Sequence, residues 1–174
     1  MKARVFILLL VVKITISFSN SVNVNAYNFS NFCLEISGSL HTKNDVKNDP
    51  YIVELLFDNK VLKQTTVTGR RSFKFLLAKN RWYAIRISKK GYSPRLISIC
   101  TDLPKSKEGF YKFHFDTELI PINKAELMDQ EVLDFPIAII SFDKDAEWFY
   151  YNEEFTSNMK RQLYKPLLAN SKND

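Results

Sequence analysis

The chain has 174 residues, of which 45% are hydrophobic and 25% charged, with a formal net charge of +6 and two cysteines. That length suits one domain. The lysines and arginines are scattered among acids and form no concentrated stripe, which argues against a nucleic-acid partner.

Residues 1–26 read as a cleavable export signal. Lys2 and Arg4 give a basic start, 5–12 and 14–18 are apolar, and Val24-Asn25-Ala26 offers a small-residue cut after Ala26. The apolar run is shorter than the roughly 20 residues a membrane span needs, and Lys13 interrupts it. The segment carries Lys2, Arg4, Lys13 and no acid, so its removal lowers the charge from +6 to +3. Cys33 follows Ser30-Asn31-Phe32, which is not a lipid-attachment context. The expected product is an exported chain without a transmembrane helix, in the periplasm or associated with the outer membrane.

Alternating apolar residues predict short strands over 32–40, 51–57, 61–68, 72–77, 82–88 and 95–100, separated by turn formers. Leu34 and Ile36 share one face, as do Phe73, Phe75 and Leu77, and Tyr83, Ile85 and Ile87. A longer strand covers 110–119, with Tyr111, Phe113 and Phe115 opposed to Lys112, His114 and Asp116. Lys124 to Leu133 predicts one or two helical turns, and 136–142 a buried strand. A C-terminal helix follows, capped by Asn152, with Glu153 and Glu154 in its first turn and Lys160 and Arg161 near its end. Phe155, Met159 and Leu163 form its apolar stripe. Pro166 is expected to end it, leaving 169–174 as a disordered tail. The fold class is therefore mainly β: an antiparallel Greek-key sandwich of about seven strands with a short C-terminal helix.

The block from Gly38 to Cys100 resembles the carboxypeptidase regulatory-like domain, a transthyretin-like seven-stranded sandwich. The resemblance rests on Ile36-Ser37-Gly38, on Gly69 before Phe73-Lys74-Phe75, and on Tyr83-Ala84-Ile85-Arg86-Ile87 with Lys89-Lys90-Gly91-Tyr92. Later segments, including Asp134-Phe135-Pro136-Ile137-Ala138, are similar to exported envelope proteins of Bacteroidota. The resemblance implies a sandwich over 27–120 and a strand–helix extension over 121–168. It also implies a non-catalytic module that binds or scaffolds an envelope or outer-membrane protein.

The residues themselves offer little catalytic chemistry, and no cofactor or metal site is expected. His41 and His114 read as surface histidines. Asp143, Asp145 and Glu147 have oxygen-ligand spacing but lack the glycine and distant glutamate of a calcium loop. Cys33 and Cys100 either pair or remain two buried thiols. The candidate partner-binding residues are Trp148, Tyr150, Tyr151, Phe155, Met159 and Leu163. Such aromatics either anchor a protein, stack on a carbohydrate or peptidoglycan ligand, or cover the sandwich.

Overall fold

In a computed structural model, residues 31–42, 49–68 and 72–170 can be described, with side chains as far as Lys165. The expected export signal, Gly69 and residues 171–174 of the expected tail lie outside them. The elements run β1 (Phe32–His41), β2 (Tyr51–Phe57), β3 (Lys60–Val67), β4 (Phe73–Ala78), β5 (Trp82–Lys89), β6 (Arg95–Cys100) and β7 (Tyr111–Glu118). After these come α1 (Ile122–Ala125), α2 (Gln130–Leu133), β8 (Ala138–Asp143), β9 (Trp148–Tyr151) and α3 (Glu153–Asn170).

The strands form a mainly β sandwich. A three-stranded sheet in the order β4-β1-β7 faces a six-stranded sheet in the order β3-β2-β5-β6-β8-β9. Alternation sets the inward faces. Leu34, Ile36, Phe75, Leu77, Ile85, Ile87, Ile97 and Ile99 are all buried in one core between the sheets. Burying each such side chain contributes about 1.5–3 kcal/mol. Gly38 is needed for close approach: a Cβ there would stand 2.7 Å from the Phe73 ring and 3.0 Å from the Phe115 ring.

The hairpin β2–β3 turns on Asp58 and Asn59, both at positive φ, which matches the right-handed twist of the paired strands. Asn80 and Glu147 take the same left-handed conformation in the β4–β5 and β8–β9 turns. Asp143 closes the latter turn by accepting from the Asp145 and Ala146 amides at 2.8 and 2.9 Å. The acids at 143–147 thus shape a hairpin, and Glu147 pairs with Lys107 at 2.6 Å.

Three expectations need correction. The described residues contain nine strands rather than about seven: the strand expected over 136–142 joins the six-stranded sheet as β8, and 148–151, with no alternation to reveal it, pairs with β8. The sheets are not wholly antiparallel. β1 runs parallel to β7 and β6 parallel to β8, pairings made between segments far apart in sequence. The helix α3 runs on to Asn170 instead of stopping at Pro166, so Lys160 and Arg161 sit in its middle. An interior proline removes one backbone donor and crowds the carbonyl four residues before it, yet the helix continues past Pro166.

Cys33 and Cys100 take the unpaired alternative: both are free, buried thiols. They belong to different sheets, and the Cys33 thiol points to the Thr101 carbonyl at 3.9 Å. Burial pushes the Cys33 thiol up to about 11 and also raises Cys100. Among the described residues, no helix is long and apolar enough to cross a membrane.

Candidate functional site

The segment after β7 builds a second small core. Ile120, Ala125, Met128 and Leu163 are buried together, with Val132 and Leu133 packed on them. Asp129 starts α2 by accepting from the Glu131 and Val132 amides at 3.1 and 3.3 Å. The Gln130 amide ties the two short helices by donating to the Ala125 and Met128 carbonyls. Asn152 caps α3 by accepting from the Phe155 amide at 2.9 Å, as its sequence position predicts. Through Leu163, α3 is held against the short helices, and it also packs on β8.

Aromatic rings lock β9 in place. Tyr111 on β7 meets Phe142, Trp148 and Phe149 edge-on, with centroids 5.3–5.6 Å apart. Phe113 meets Tyr151 in the same way at 5.4 Å. Phe149 is completely buried. Burial, followed by the charge of Asp116, pushes the Tyr151 phenol up to about 12.

Between β7, the start of β6, β8–β9 and α3 lies a cleft of about 770 Å³. Of the six candidate residues, Tyr150, Tyr151, Met159 and Leu163 line it, while Trp148 and Phe155 do not. Leu163 is only 2% exposed and belongs to the second core, so it positions the helix and presents nothing to a partner. Trp148 and Tyr150 are each 47% exposed on β9, whereas Phe155 and Tyr151 are half-buried.

The residue that sequence reasoning missed is Arg95. It shares the parity of Ile97 and Ile99 along β6, and that inward register is the signal that could have exposed it. Arg95 lines the cleft and is 5% exposed, and no carboxylate among the described residues pairs with it. Its Nε and Nη1 are buried without partners. Burial pulls its guanidinium below its ordinary value, and the neighbouring Tyr164 hydroxyl partly opposes this. Thr156 Oγ1, from α3, is a further unpartnered buried atom on the same cleft.

At the mouth, the parallel register of β1 and β7 gathers a polar cluster. His114 contacts Ser37 and Ser39, each at 2.9 Å, through opposite ring nitrogens. His41 reaches Asp116 at 3.4 Å, while His114 stands 3.7 Å from it. The His41 contact holds the Asp116 carboxyl below its ordinary value. These are the residue types of a nucleophilic triad, but 3.7 Å is too long for the carboxylate to orient His114. Among the described residues, no cluster of histidine, cysteine and acid groups suits a metal ion.

No family model matches the chain, and no curated protein matches it. It is similar to a solved structure described as "Crystal Structure of S.CueP", at 12% identity and a TM-score of 0.35. The match covers 50% of this chain and 62% of that one, less than two thirds of its length.

Proposed function

We propose that the protein is an exported, non-catalytic sandwich domain that serves as a binding or scaffolding accessory in the bacterial cell envelope, within an outer-membrane complex. The observation that carries this reading is the division of the chain into a closed body and an added surface. The first seven strands place both partners beside β1 and form a sandwich of three and four strands. The chain then adds β8, β9 and α3 at the β6 edge, and there it exposes Trp148 and Tyr150 beside a cleft. Exposed aromatics of this kind serve as anchors for a protein partner. The basic and apolar pattern of residues 1–26 supports export.

The carbohydrate reading has one observation in its favour: Trp148 and Tyr150 stand two residues apart on β9 and are equally exposed. The test compares envelope proteins recovered with the native chain and with Trp148→Ala/Tyr150→Ala. Loss of specific partners from a chain that still folds is expected, with only a modest fall in Tm from the lost Trp148–Tyr111 contact. Unchanged partners, or a chain retained in the cytoplasm, would overturn the proposal. Binding to soluble glycans that Trp148→Ala abolishes would select the carbohydrate reading instead.

A further inference from the structure

The three buried side-chain polar atoms that lack a partner among the described residues are Arg95 Nε, Arg95 Nη1 and Thr156 Oγ1. All belong to residues that line the same cleft. A buried cation without a counter-charge is costly, and so is a buried hydroxyl without a hydrogen bond. Arg95 comes from β6 and Thr156 from α3, so two separate elements bring these groups to one place. We propose that the cleft binds an organic carboxylate carrying an apolar body, with Arg95 as the anchor for the carboxylate and Thr156 as a second hydrogen-bonding group.

The class of ligand follows from charge, size and lining. One guanidinium stands in the interior, so one negative charge balances it. The lining also carries Asp116, Glu118 and Glu153 against Lys160, and that excess of acid penalises a dianion such as phosphate more than a single carboxylate. Nε and Nη1 together offer three N–H donors, and carboxylate oxygens accept charge-assisted hydrogen bonds well. Val132, Ile137 and Met159, all partly exposed, supply apolar wall for the rest of the ligand. The cleft's volume of about 770 Å³ falls in the roughly 300–1,000 Å³ range of small-molecule sites. Tyr164 also lines the cleft and is 39% exposed.

The site adjoins the partner surface on β9 and shares Tyr150 with it, while Trp148 is not in its lining. Calorimetric titration of the full chain tests it with phenylbutyrate, with a short peptide ending in phenylalanine, with the amide of that peptide, and with inorganic phosphate. A carboxylate probe is expected to bind at millimolar concentration or below, and the amide and phosphate are not. Binding of both carboxylates, or of phenylbutyrate alone, assigns a small-molecule ligand. Binding of the peptide acid alone assigns a chain terminus. Arg95→Met should weaken binding about 10- to 100-fold, the loss of a charge-assisted hydrogen bond, with no fall in Tm. Met159→Trp, which fills the cleft, provides a second test should Arg95→Met not fold, and it too should abolish binding. Trp148→Ala should leave the affinity unchanged, which separates this site from the docking surface. The proposal is overturned if no carboxylate binds, if the amide or phosphate binds as well as the acid, or if both cleft variants retain full affinity.

Discussion

The two edges of the six-stranded sheet are finished in different ways. At one edge, β3 extends past the core: Val61 and Leu62 are about half exposed, and in the whole strand only Val67 is buried. Lys60 and Lys63 are also exposed there, and charge on an open edge discourages pairing with another chain. Lys63 also lies 5.9 Å from the Phe75 ring centroid. At the other edge, β9 is fixed by a seam of aromatic rings, and α3 extends the wall into a cleft. The β3 edge leaves its apolar side chains in solvent. The β9 edge buries Phe149, half-buries Tyr151 and leaves unpaired polar atoms in the cleft beside them. The difference separates an edge that is tolerated from one whose added structure makes room for a ligand.

The contrast is broken most severely at Phe149. Phe149→Ala empties a completely buried ring site and should cost about 3–5 kcal/mol in urea unfolding. That is a large share of the roughly 5–15 kcal/mol that holds a domain together. A loss under about 1 kcal/mol would mean that β9 is not integral to the core.

A smaller effect is expected at high pH. Tyr151 has a raised value in the folded state, so its neutral form contributes stability that is fully present below about pH 10. That contribution is lost as the pH rises through about 12. Cys33 adds a similar loss between about 9 and 11. Thermal melts between pH 9 and 12 should show falling stability, and Tyr151→Phe should remove the upper part of the slope. An identical slope in that variant would detach Tyr151 from the effect.

The smallest change belongs to the β3 edge. Leu62→Thr should shift stability by no more than about 0.5 kcal/mol, since its side chain already faces water. Light scattering should show equal or lower self-association. A large destabilisation would show that the β3 edge is as integral as the β9 edge.

Much of the body was legible because burial follows residue alternation. Phe73, Phe75 and Leu77, and then Tyr83, Ile85 and Ile87, point inward as their spacing requires. The Asp58-Asn59 turn and the Asn152 cap were legible for the same local reason. What escaped depends on distant partners. The run Trp148-Phe149-Tyr150-Tyr151 has no polar alternation, so only its pairing with β8 shows that it is a strand. The exposure of Leu163 could not be decided until Ile120, Ala125 and Met128 were placed against it. The meeting of His41, Asp116 and His114 required the parallel register of β1 with β7. Arg95 was within reach of sequence reasoning, since its parity alone places it inward, but its lack of a partner is a property of the assembled fold.

The three-stranded sheet has its earliest strand at its centre. β1 is flanked by β4 and, through contacts such as Ser37 with His114 across 77 positions, by β7. A ribosome therefore makes the middle of this sheet long before it makes the second flank. Until roughly two thirds of the chain has emerged, β1 has no complete seat. Such distant pairing slows folding towards the millisecond-to-second range. In stopped-flow refolding, Ile36→Val and Phe115→Leu should therefore slow folding together if closure of β1 by β7 forms the barrier.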